Sequence, residues 1–185
     1  MELYLSGKKG FPIQKGMIGL FFEDINYAAD GGLYAEMIEN RSFEFVDCYG
    51  TVGDYYTKPD PGYGWSATQE HGTGRMEYVS GSPLDRVNPH YLRFTADHAG
   101  QGFANKAYDG VTLKKGESYH AVFYARCARY QGDLRVAVVK DRREIAAADV
   151  ACVHAPEGTW QKWVRYEAAL TAQEDVRGAQ FTISL

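Results

Sequence analysis

Ser118-Tyr119-His120-Ala121-Val122-Phe123-Tyr124-Ala125-Arg126 is the stretch that decides the fold. Side chains of an extended strand alternate between two faces. Tyr119, Ala121, Phe123 and Ala125 share one face, and His120, Val122, Tyr124 and Arg126 share the other. The first face is small and apolar and belongs against a core; the second carries ring and polar groups. Similar strand-like runs flank it: Arg75–Val79, His90–Thr95, Glu117–Arg126 itself, Leu134–Val139, Glu144–Val150, Trp160–Leu170 and Ala179–Leu185. Clusters such as GSP, DHAGQG, YDG, KKGE, YQGD and APEGT separate most of them. Short strands punctuated by turn residues predict an all-β sandwich or barrel.

Upstream the character changes. Asp47 to Gly74 is rich in Gly, Pro, Asp and Tyr, as in KPDPGYGW, and reads as loop. Residues 1–46 differ again. Met17-Ile18-Gly19-Leu20-Phe21-Phe22 is a short apolar run ending in Glu23-Asp24, which predicts a buried strand with acids at its C-terminal end. After a loop, Leu33, Tyr34, Met37, Ile38 and Arg41 fall at helical spacing, with Asp30 as N-cap. One strand and one helix cannot close a core alone. The expected division is therefore a βα segment over 1–46 and a β-sandwich over 47–185.

Length and composition exclude other classes. At 185 residues the chain is shorter than a complete (β/α)₈ barrel of about 250. Twenty basic and 24 acidic residues give a net charge of −4, without the basic footprint that nucleic-acid binding requires. No apolar run approaches a membrane span. The N-terminus, MELYLSGKKGF, lacks a signal peptide's basic and apolar regions, so a cytoplasmic location is expected unless the chain derives from a longer precursor. Cys48, Cys127 and Cys152 are odd in number and widely spaced, which predicts free thiols in a reducing compartment.

The chemical candidates are few. Neighbours in a strand point to opposite faces, so Glu23 and Asp24 cannot be the paired carboxyls of a glycosidase. The histidines, His71, His90, His98, His120 and His154, show no metal-ligand spacing. Tyr63, Trp65 and Tyr108 lie in loop-like sequence, where exposed rings could stack on sugar faces or pack over the sandwich rim. Trp160 and Trp163 sit at odd spacing, so one of them is expected in the core. Asn40-Arg41-Ser42 matches a glycosylation sequon, read here as accidental.

GLFFEDINYAADGGLYAEMIENRSFEF, Gly19 to Phe45, closely resembles the N-terminal signature of the α-L-arabinofuranosidases of glycoside hydrolase family 51. Asn88-Pro89-His90-Tyr91-Leu92-Arg93, GFANKAYDG, GESYHAVFYAR, TWQKW and AQFTISL resemble the jelly roll that follows in many members, of the carbohydrate-binding-module family 4/9 type. The resemblance implies that Glu23, in the FxE motif, ends the first barrel strand and binds the arabinofuranose, with Asn26 beside it as a second substrate-binding residue. It also implies that the acid/base and nucleophile come from later barrel strands. No catalytic residue is then expected within this chain, which alone should be inactive. Modules of this type often hold a structural calcium, to which Asp47, Asp109 and Glu117 could contribute, although no EF-hand-like spacing groups them. Cofactors are otherwise not expected.

Three functions follow. The chain is part of an enzyme releasing terminal α-L-arabinofuranosyl residues from arabinose-containing oligosaccharides or polysaccharides, or a carbohydrate-binding module, or a structural spacer. An apolar strand at Met17–Phe22 would need cover, from the sandwich or from a second copy in a homo-oligomer.

Overall fold

The computed structural model describes residues 36–51, 54–127, 130–153 and 162–185. Contacts divide the chain into two units, Met1–Ala35 and Glu36–Leu185. The expectations placed on Met17–Phe22, Glu23 and Asn26 therefore lie outside the described residues.

The second unit is built of strands, as the alternating runs predict. They are β1 (Val46–Thr51), β2 (Asp54–Pro59), β3 (Trp65–Ala67), β4 (Arg75–Val79), β5 (Tyr91–Thr95), β6 (Gly102–Asn105), β7 (Val111–Leu113), β8 (Ser118–Ala125), β9 (Asp133–Lys140), β10 (Arg143–Ala151), β11 (Val164–Thr171) and β12 (Val176–Ser184). One six-stranded sheet runs β10-β9-β12-β6-β3, with β7 also pairing to β12. Opposite it stand two antiparallel pairs, β8 with β11 and β4 with β5. Tyr91 of β5 meets Trp163, just before β11, edge to face at 5.1 Å. The two pairs thus present one outward face.

The core lies between these layers. Leu134, Val136 and Val138 of β9, Phe181 and Ile183 of β12, and Ala168 and Leu170 of β11 are all buried. Tyr119, Ala121 and Phe123 of β8 pack against them, which is the face the alternation assigned inward. Each fully buried Val, Leu, Ile or Phe contributes about 1.5–3 kcal/mol of transfer free energy. Phe94 of β5 meets Phe103 of β6 at 5.4 Å, so β4–β5 also closes onto the six-stranded sheet.

Three expectations need correction. Residues 47–74 are more than loop: they hold the β1–β2 hairpin, in register from Val46↔Pro59 to Thr51↔Asp54, and β3. The helical spacing does not produce a helix through the described residues 36–41, which form extended chain and turns. Asn105 captures both the N–H and the C=O of Glu39, and Asn40 takes φ 50°, so sandwich contacts override the local period. Finally, Cys127 and Cys152 are joined by a disulfide, with Cα atoms 6.8 Å apart. It links the end of β8 to the end of β10 and so ties the two layers together. The wide spacing of these cysteines hid a proximity that only the strand order creates, and the free-thiol reading fails for this pair.

Candidate functional site

The six described residues named for stacking or metal roles are spread through the second unit. Trp65 sits half-buried on β3. Its indole N–H donates to the Asn40 carbonyl at 3.1 Å, and its ring lies between Phe43 at 5.2 Å and Phe103 at 5.9 Å. Tyr63 stacks on Phe45 with centroids 3.9 Å apart, and the Lys106 ammonium lies 5.0 Å from its ring centre. Both rings are engaged by their neighbours. Tyr108 is 63% exposed, in the turn before β7. Asp47 lies on β1, Asp109 in that same turn, and Glu117 just before β8, so the three acids named for calcium come from three places in the chain.

The Asn40 sequon is also spoken for. Its side-chain amide donates to the carbonyls of Pro61 and Tyr63, each at 3.0 Å, and its side-chain oxygen accepts from the Phe45 N–H at 3.1 Å. The side chain braces the turn around residues 40–45, which leaves no role for it as a glycan acceptor in the folded state.

A face that the loop search passed over gathers more chemistry. On the outward side of β8 stand His120, Val122 and Tyr124, with Val122 49% and Tyr124 47% exposed. Across the register, Arg165 pairs with Tyr124 and Glu167 with Val122. Glu167 accepts from Arg165 at 2.9 Å and lies 3.4 Å from His120 Nδ1. The Arg165 guanidinium holds the Glu167 carboxyl below its usual range. At the end of β8 the Arg126 guanidinium lies 4.3 Å from the Trp163 ring centre and 4.9 Å from that of Tyr91. Those rings are fixed in turn: Tyr91 OH donates to Gly81 O at 2.6 Å and Trp163 Nε1 to Ser82 O at 3.3 Å. Trp163 therefore faces outward; Trp160 lies outside the described residues. The alternation in Ser118–Arg126 had marked this as the ring-and-polar face. What it could not supply was the cross-strand partners.

Such a face can offer a flat ring to the C–H side of a sugar and planar donors and acceptors to its hydroxyls. It is poorly arranged for hydrolysis. Several of the described acids are held in ion pairs, as Glu44 is with His90 at 2.7 Å, Glu144 and Asp149 with Arg135, and Glu174 with Arg143. Glu39 is in another state: both carboxylate oxygens are buried and lack a hydrogen-bond partner.

A two-layer strand sandwich with a mixed ring-and-polar outer face is the class that fold and face define. No family model matches the chain. Its relatives are specific. The extracellular exo-α-L-arabinofuranosidase of Streptomyces chartreusis is 36% identical over 165 residues, covering 89% of this chain and 18% of that protein. α-L-Arabinofuranosidase 1 of Arabidopsis thaliana is 28% identical over 180 residues, covering 94% of this chain and 25% of that protein. The fold is shared with the arabinose-bound α-L-arabinofuranosidase MgGH51, at TM-score 0.69 and 24% identity, over 90% of this chain and 26% of that one. The chain is homologous to part of the α-L-arabinofuranosidases, as its N-terminal signature implied. It spans only about a fifth to a quarter of the relatives' length.

Proposed function

We propose that this chain is the sandwich-bearing part of an α-L-arabinofuranosidase. The whole enzyme would hydrolyse terminal, non-reducing α-L-arabinofuranosyl residues of oligosaccharides or polysaccharides. It would use one carboxylate as nucleophile and one as acid/base, with retention. Glu23 and Asn26 would bind the arabinofuranose, and the two reacting glutamates would come from barrel strands outside this chain. The observation that carries the reading is the 36% identity to an exo-α-L-arabinofuranosidase across 89% of the chain.

Hydrolysis of 4-nitrophenyl α-L-arabinofuranoside tests it. The 185-residue chain should release no nitrophenol, and the parent enzyme should turn the substrate over. Glu23→Gln in that parent should lower kcat/KM by on the order of a hundredfold or more, as loss of a group that stabilises the transition state does. Turnover by the 185-residue chain alone would sink the assignment of both reacting carboxylates to other strands. A second reading, a sandwich acting only in binding or as a spacer, is favoured by the ion pairs that hold Glu44, Glu144, Asp149 and Glu174. It predicts no activity in any longer polypeptide.

A further inference from the structure

We propose that the Cys127–Cys152 disulfide is a redox latch on the seam between the β4–β5 and β8–β11 pairs. A dithiol that reduces it lets the two pairs part, and reoxidation closes them again. Such a latch stands apart from the arabinofuranosidase reading and survives its failure.

The seam is the first observation. β4 pairs with β5, and β8 with β11, but among the described residues no backbone ladder joins one pair to the other. Side chains bridge them instead. The Arg126 guanidinium, at the end of β8, lies 4.3 Å from the Trp163 ring centre and 4.9 Å from that of Tyr91 on β5. The two rings meet edge to face at 5.1 Å, and each donates to a carbonyl just after β4: Tyr91 to Gly81 and Trp163 to Ser82. A ladder repeats its hydrogen bonds along a whole strand, whereas a guanidinium and two rings hold at one point. A join of this kind can open locally while the rest of the sandwich stays closed.

The second observation is where the disulfide sits. Cys127 directly follows Arg126, and Cys152 directly follows β10, so the bond ties the backbone beside Arg126 to the edge of the six-stranded sheet. Tyr166 of β11 stands at the same node. It is buried, and its hydroxyl lies 3.8 Å from Cys127 Sγ and 3.9 Å from Cys152 Sγ while accepting the Val153 N–H at 3.1 Å. β8, β10 and β11 therefore converge on the two sulfurs, one residue from the guanidinium that bridges the seam. Reduction cuts that tie, and Arg126 is left on an untethered strand end. Both cysteines are half-buried, and Val153 beside Cys152 is 54% exposed, so the bond lies near the surface, where a small dithiol can approach. The exchange balances: the dithiol gives up two electrons and two protons and closes to its own disulfide, and the Cys127–Cys152 bond becomes two thiols.

Hydrogen exchange of the 185-residue chain, with and without dithiothreitol, decides the matter. On reduction the amides of residues 91–93 and 163–165 should exchange on the order of tenfold faster, while those of residues 136–138 and 181–183 in the six-stranded sheet stay protected. Removing the dithiol and letting the thiols reoxidise should restore protection. Arg126→Gln should open the same amides with the disulfide intact. The Cys127→Ser/Cys152→Ser variant should be open at the seam and indifferent to dithiol. Seam amides unmoved by reduction overturn the proposal. So does an equal rise across both layers, in the reduced protein or in the serine variant, which would make the bond a staple of the whole fold. Full protection of the seam in Arg126→Gln overturns it as well.

Discussion

Asn105 is fully buried, and its side chain makes three hydrogen bonds: Oδ1 accepts from the N–H groups of Glu39 and Ala107, and Nδ2 donates to the Glu39 carbonyl. Asn105→Ala strands those backbone groups away from water. Each buried group left unpaired costs about 1–3 kcal/mol, so urea unfolding should show a loss of about 3 kcal/mol or more. Glu39 presents the opposite case. Its carboxylate is buried without a partner, which is costly for a charged group. Glu39→Gln should raise stability by about 1 kcal/mol, read as an upward shift of the melting temperature. Neither role was visible beforehand. An Asn in GFANKAYDG and a Glu in a helix-like period carry no mark of burial, because burial here depends on which distant strands meet. The outer face of β8 was legible, since period-2 alternation is local; its partners Arg165 and Glu167 were not.

At the scale of elements, the long alternating runs were read well. Arg75–Val79 and the strands around residues 118–126, 134–139 and 144–150 appear within a residue or two of the expected bounds. The short strands β3, β6 and β7 and the hairpin β1–β2 were missed. Short strands show no more than one alternation, and Gly and Pro inside 47–74 mask the hairpin pattern. Those glycines and the turns they permit still carry structure. Gly110, before β7, takes φ +78°, and a Cβ there would come within 2.2 Å of the Gly178 Cα. Gly110→Ala therefore meets both a left-handed backbone and a neighbouring main chain. It should destabilise by about 2–4 kcal/mol and weaken amide protection in both β7 and the start of β12.

At the scale of the whole molecule, the Cys127–Cys152 link closes a loop with a sequence separation of 25. Restricting the unfolded chain over such a loop is worth about 3 kcal/mol in the chain-entropy account. A reducing agent, or Cys152→Ser, should lower the melting temperature accordingly; an unchanged value in both would show that the link contributes nothing. The reducing-compartment expectation rested on free thiols, and this pair removes that support.

β12, the last strand in sequence, lies at the centre of the six-stranded sheet, between β9 and β6 and beside β7. During synthesis the sheet must wait for it. Until residues 176–184 leave the ribosome, β6 and β9 have open edges where their shared partner belongs, and nascent chains are exposed to pairing with one another. The layout gives the folding reaction a high contact order and makes the emergence of β12 the moment at which the sheet becomes able to close.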